Sequence, residues 1–166
     1  MGLLHTYTAE VVWTGAGATG TTGYRDYTRD HDVHVEGKPV IAGSADPAFR
    51  GDPARHTPED LLVAALAQCH MLWFLHLAAV EGVVVVGYAD QASGTMRVAA
   101  AGHGEFTEVT LHPRVTVREP PDAAGARDLD ALLAEVHRKA HEHCFIARSV
   151  SFPVRTEPAP VAVEQR

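Results

Sequence analysis

The chain has 166 residues, enough for one domain with a real hydrophobic core. A hydrophobic content of 46% is that of a soluble globular protein, and a formal net charge of −7 argues against a nucleic-acid backbone as partner. Two cysteines are too few for a disulfide-stapled secreted scaffold. The start, Met1 to Thr6, lacks the basic end and long apolar run of a signal peptide, so the expected compartment is the cytoplasm.

Residues 5–14 are rich in β-branched and aromatic side chains and read as a strand. Gly15-Ala16-Gly17-Ala18-Thr19-Gly20 follows, a literal G-x-G-x-x-G. The dinucleotide reading needs a helix next, but residues 21–31 are Gly-broken and strand-like, so a flexible hairpin loop is the better reading. Residues 23–36 read as a second strand. A long loop over 37–56, punctuated by Pro39, Gly43, Pro47, Gly51 and Pro53, then delivers the chain to its most distinctive stretch.

That stretch is a helix over 57–82. Thr57 is a good N-cap, Pro58 suits the first helical position and Asp60 completes a pattern close to a capping box. Gly82 stands where a helix C-terminus favours it. Between Asp60 and Glu81 no residue carries a formal charge, and apolar residues run all the way round. Such a helix is expected to be buried on every side. Residues 61–80 are also long enough to span a bilayer. However, Gln68, His70 and His76 would sit in hydrocarbon and the flanks carry only acids, so no membrane partner is expected.

A β-meander follows, roughly 83–92, 94–101 and 105–118. Val109, Leu111, Val115 and Val117 give the last segment one buried face, and Pro113 suggests an edge or a bulge. Residues 119–125 read as a turn. Asp128 can cap a second helix over 129–143, whose stripe of Leu129, Leu132, Leu133, Val136 and Ala140 extends to Cys144. A final strand over 149–155 precedes a Pro-rich tail expected to fray. The order is β-β-α-β-β-β-α-β without internal repeat, and the class is α+β, a single domain over 1–166.

Cys69 alone reads as a packed small hydrophobe. The second cysteine changes that, because Cys144 also ends an apolar stripe and both stripes can share one core. A thiol pair in a cytoplasmic chain points to redox or metal chemistry. A reactive cysteine needs a nearby cation, and the central helix has none, so the candidates are Arg25, Arg29, Arg50 and Arg55 on flanking segments. Glu59 could hold such a guanidinium, or could simply favour the helix N-terminus. Glu59 and Cys69 are ten residues apart, about 15 Å of helix rise, too far for one to serve the other. Either the helix breaks between them or the pair serves the cysteine of another subunit, which predicts a dimer. His137 and His141, with His143 and Cys144 beyond, offer a rival zinc or copper reading, but without a C-x-x-C it is the weaker one. His70 and His76 read as hydrogen-bonded core or pocket residues.

At these residues the chain resembles the OsmC/Ohr family of thiol-dependent peroxidases. Thr57-Pro58-Glu59-Asp60-Leu61 leading to Ala67-Gln68-Cys69 is similar to that family's Asn-Pro-Glu-x-hydrophobic…Ala-x-Cys segment, with the same spacing. The second helix ending in Cys144, followed by residues 149–154, is similar to the family's second cysteine and last strand; Phe145 replaces a proline common there. The resemblance implies antiparallel sheets wrapped around two long central helices in an intertwined homodimer, with sites at the interface. It implies a peroxidase in which Cys69 attacks an organic hydroperoxide or hydrogen peroxide and Cys144 closes a disulfide. An external dithiol would then reduce that disulfide, without a bound cofactor or metal. Glu59 maps onto the family's glutamate; Arg50 is favoured as its arginine, with Arg25 the alternative. His70, Trp73 and Phe145 are expected to line the substrate pocket. Two further readings compete: an OsmC-fold ligand binder or redox sensor without turnover, and a His/Cys metal-binding protein.

Overall fold

The computed structural model describes residues 2–118 and 128–164. The chain forms two compact units, Met1–Leu62 and Val63–Arg166.

In the first unit three strands form an antiparallel sheet in the order β1-β2-β3: β1 (Glu10–Trp13), β2 (His31–His34) and β3 (Ile41–Gly43). Glu10 stands opposite His34, and Trp13 opposite His31. The expected second strand over 23–36 is shortened to four residues, because 23–30 is wound into turns. Asp26 N–H donates to the Gly23 carbonyl, and the Arg29 guanidinium donates to the carbonyls of Tyr24 and Tyr27. The G-x-G-x-x-G segment leads into a short 3₁₀ turn, Gly20–Thr22, and not into a long helix. The loop over 37–56 is not structureless. It holds β3 and a 3₁₀ turn, Pro47–Phe49, whose Asp46 side chain accepts from Ala48 N–H at 2.7 Å. Gly51 folds so tightly against Ala45 that any side chain there would meet its carbonyl.

Helix α1 (Pro58–Val80) begins in the first unit and runs through the second without a break. Its start is a capping box: Asp60 N–H donates to Thr57 Oγ1 at 3.1 Å, and Thr57 N–H donates to Asp60 Oδ2 at 3.0 Å. The second unit contributes β4 (Val85–Asp90), β5 (Ser93–Val98), β6 (Gly104–Leu111), β7 (Pro113–Arg118), α2 (Leu129–His143), β8 (Val154–Thr156) and β9 (Ala162–Glu164). They form two three-stranded sheets, β4-β7-β9 and β5-β6-β8. Strands β4–β7 and the hairpin β5–β6 pair antiparallel; β8 joins β6, and β9 joins β7, in parallel.

Three expectations change here. The final strand is not 149–155 but β8, Val154–Thr156, and Ala147–Ser149 before it is a 3₁₀ turn. Residues 105–118 are not one strand: the chain leaves one sheet at His112 and enters the other at Pro113. As the first residue of β7, Pro113 loses no ladder bond, and it is buried, not at an edge. The tail does not simply fray, since β9 pairs Ala162 with Thr116 and Val163 with Val117. The turn expected over 119–125 lies outside the described residues. Helix α2 matches its expected span, and Asp128 caps it by accepting from Ala131 N–H at 3.0 Å.

The core has two parts. Phe74 and Ala78 of α1 pack with Val115 and Val117 of β7 and with Leu133, Val136 and Ala140 of α2. Leu66 packs with Val109 and Leu111 of β6. Within the chain α1 is not covered on every side. Leu66, His70, Phe74 and Ala78 are buried at four-residue steps, while Ala64, Gln68, Leu72 and His76 form an exposed stripe on another face. Among the described residues α1 is the one helix that, by length and composition, could cross a bilayer.

Candidate functional site

The second unit brings the two thiols together. Cys69 sits mid-α1 and is half-buried; Cys144 is the C-cap of α2 and is buried, with both cysteines free. The two thiols are close enough for Cys69 to act on the Cys144 thiol. A 3₁₀ turn, Ala147–Ser149, follows Cys144, and Ala147 N–H donates to Cys144 Sγ at 3.4 Å. Burial is the main cause that pushes the Cys144 thiol up to about 11; Cys69 adds to it, and the Ala147 and Ile146 amides partly offset it. Cys144 is therefore held as a neutral thiol at neutral pH.

Trp73, one turn beyond Cys69, meets Phe145 edge-on at 5.6 Å between ring centroids and lies 5.0 Å from His143. Phe145 remains 67% exposed, so this aromatic pair is a half-open collar beside the cysteines. His70 does not face solvent with them. It is buried and shares a 3.0 Å hydrogen bond between its Nε2 and Nδ1 of His137, which is buried too. The sequence spacing offers His137 only as a metal ligand. Its place four residues after Leu133, on the α2 stripe, was the available signal for burial. Among the described residues no group of three or more His, Cys, Asp or Glu side chains could hold a metal ion.

The first unit holds Glu59 in a cavity of about 340 Å³, with Trp13, Tyr27, Arg29, Phe49 and Pro58 in its wall. Of the four arginines weighed from sequence, Arg29 is the one in this wall. Its guanidinium is locked between the rings of Tyr24 and Tyr27, at 4.4 and 4.3 Å, while donating to both their carbonyls. Arg55 is committed to Asp30, Asp32 and Asp52. Arg25 is exposed. Arg50 closes the Pro47–Phe49 turn in a left-handed conformation, φ 68°, with its guanidinium 5.9 Å from the Tyr24 ring. Because α1 is unbroken, Glu59 and Cys69 remain separated by about 15 Å of helix rise.

The OsmC-like protein family model matches residues 51–158. An OsmC-like protein of unknown function from Vibrio cholerae is 33% identical; the match covers 94% of this chain and all of that one, with a TM-score of 0.81. An organic hydroperoxide resistance protein from Legionella pneumophila is 18% identical, over 98% of this chain and all of that one, with a TM-score of 0.66. A hydroperoxide resistance protein from Elizabethkingia anophelis is 16% identical, over 99% of this chain and all of that one, with a TM-score of 0.63. At these lower identities the likeness is one of fold. Among curated proteins none matches the chain in sequence.

Proposed function

The chain belongs to the OsmC/Ohr family, and on that premise we propose that it reduces hydroperoxides with its two thiols. The observation that carries this reading is the contact between a half-buried Cys69 and a buried Cys144 held as a thiol. In the first step Cys69 sulfur, as thiolate, attacks the terminal peroxide oxygen. An S–O bond forms, the O–O bond breaks, and the leaving alkoxide takes a proton to become an alcohol, or water from hydrogen peroxide. In the second step Cys144 sulfur attacks the Cys69 sulfenic acid: the S–S bond forms, the S–O bond breaks, and hydroxide leaves with the proton shed by Cys144 as water. An external dithiol restores both thiols and is oxidised in their place. That requirement fits a reducing compartment such as the cytoplasm.

The Glu59 cavity supplies the other half of the site in this reading. Arg29 is its cation, in preference to Arg50 and Arg25, because it alone of the three shares the cavity wall with Glu59. In this reading that half-site serves the thiols of a second copy, in a homodimer, because the helix rise between Glu59 and Cys69 is too long for one chain to use both. The exposed α1 stripe supports the same arrangement, since a second copy would cover it.

The test is peroxide consumption with a dithiol reductant, using cumene hydroperoxide and hydrogen peroxide in parallel. Wild type is expected to turn over and Cys69→Ser to be inactive. Equal rates for the two proteins would overturn the proposal.

A further inference from the structure

The buried histidine pair has no part in the chemistry above, yet it lies at the crossing of the two thiol-bearing helices. His70 directly follows Cys69 on α1, and His137 stands two turns before Cys144 on the buried stripe of α2. The ring planes are parallel within 2°, with centroids 5.3 Å apart, whereas the bonded nitrogens are 3.0 Å apart. The centroids are farther apart than the nitrogens by about a ring's width. The rings therefore meet edge to edge in one plane, as an in-plane N–H···N bond requires, and are not stacked face to face. Phe74 packs over His137 with centroids 4.2 Å apart, closing one face of the bond.

The bond's direction follows from what each nitrogen would otherwise lose. His70 Nδ1 is buried with no hydrogen-bond partner among the described residues. If His137 donated, that nitrogen would carry an orphaned proton; if His70 Nε2–H donates, it carries only an unused lone pair. A buried orphan donor is the rarer and costlier state, so His70 donates and His137 accepts. Both rings are then neutral, with His70 in its Nε2–H form.

Around this bond the helices touch through non-directional contacts: Phe74 with Leu133, Val136 and Ala140, and Trp73 with Phe145 and His143. Such surfaces tolerate small slides, whereas an in-plane bond between rigid rings does not. We propose that the His70–His137 hydrogen bond is a positioning clasp that fixes the register of α1 on α2 and thereby holds Cys69 and Cys144 in reach of each other. Neither histidine touches substrate; both act through the thiols. The inference rests on Cys69 and Cys144 forming a redox pair, but not on their reacting with peroxide.

The test therefore uses a thiol–disulfide equilibrium. Wild type, His137→Leu, His137→Asn and the double variant His70→Leu/His137→Leu are equilibrated in buffers of reduced and oxidised glutathione. Free thiols are then alkylated and the Cys69–Cys144 disulfide is quantified by mass. Asn at 137 places an amide group near the accepting Nδ1 position and can keep the bond; Leu cannot. The disulfide equilibrium constant is expected to fall at least about tenfold in both Leu variants, about 30 mV for this two-electron couple, and to recover in His137→Asn. The double variant replaces both rings with apolar groups, so it separates loss of the clasp from an orphaned buried nitrogen in a poorly folded single variant. A wild-type constant in the Leu variants, or an equal loss in His137→Asn, would overturn the clasp. Peroxide turnover measured on the same proteins reports separately on the peroxidase reading: an inactive wild type that still shows the glutathione pattern would sink that reading alone.

Discussion

At the scale of single residues, the two cysteines were the most legible part of the site. Cys69 belongs to an apolar helix and Cys144 caps the end of an amphipathic one, and Cys144 is buried while Cys69 is half-buried. The arginine of the proposed site was less legible. Arg25, Arg29 and Arg50 are equivalent in sequence, and their difference is made by backbone turns with no strong signature. The carbonyls of Tyr24 and Tyr27 both turn inward onto Arg29, while Asp46 and Gly51 hold Arg50 at the end of a 3₁₀ turn. Arg29 already meets the cost of ordering a long side chain through its two tyrosine rings, which suits a guanidinium that must be preorganised. Arg29→Ala is accordingly expected to lower kcat/KM for a hydroperoxide at least about tenfold, or about 1.4 kcal/mol of transition-state stabilisation. Arg50→Ala should stay within about twofold of wild type, on the scale of a surface substitution. Steady-state kinetics on both variants checks this, and the reverse ranking would restore Arg50 to the site.

At the scale of elements, both helices could be read from sequence because their ends carry their own chemistry: Thr57 and Asp60 at one, Asp128 at the other. Strands β3, β8 and β9 were harder, being only three residues long and defined by what they pair with. The division of β6 from β7 at His112 was hidden because their buried alternation continues across the break. What no periodicity displays is that the α1–α2 contact contains a neutral imidazole pair. Burial, its main cause, pushes His70 from 6.5 down to about 4, helped by His137 and His141; burial alone pushes His137 down to about 4. Between those values the unfolded chain binds protons that the folded chain refuses. Stability should therefore be full above pH 6.5 and fall as pH drops toward 4, by about 1.4 kcal/mol per pH unit for each imidazole that titrates. Asp90 works in the opposite sense, since burial raises its carboxyl. The clean measurement is thus a difference: urea unfolding of wild type and His70→Leu/His137→Leu from pH 7.5 to 4.5, at one protein concentration. The wild-type advantage is expected to shrink with acidification. A pH-independent difference would mean that the pair is not held neutral.

At the scale of the whole molecule, the central question is what covers α1. Its sequence is apolar all round, yet the single chain buries only the face bearing Leu66, His70, Phe74 and Ala78. Leu72 is 62% exposed and Val80 68%, and in the first unit Val11 is 64% exposed. Leaving this much aliphatic surface in water is costly unless a partner removes it. A bilayer is a poor partner, because the exposed α1 face also carries Gln68 and His76. A second copy of the chain suits it better, since a two-fold axis would bring the same mixed stripe against itself, amide and imidazole included. The role proposed for Glu59 calls for the same arrangement independently, as it lies about 15 Å of helix rise from its own Cys69. Under two-fold symmetry one substitution is felt twice. Burying Leu72 is worth about 2 kcal/mol per copy, so Leu72→Glu removes about 4 kcal/mol from the dimer even before its charges are desolvated. That is roughly a thousandfold in dissociation constant. Light scattering over a concentration series should find a dimer for wild type and a monomer for Leu72→Glu at micromolar concentration. The variant's activity should fall with its dimer fraction and return at high protein concentration, because each thiol pair would lack its Glu59 half-site when alone. A wild type that remains monomeric, or a Leu72→Glu monomer with full activity per chain, would overturn the shared site.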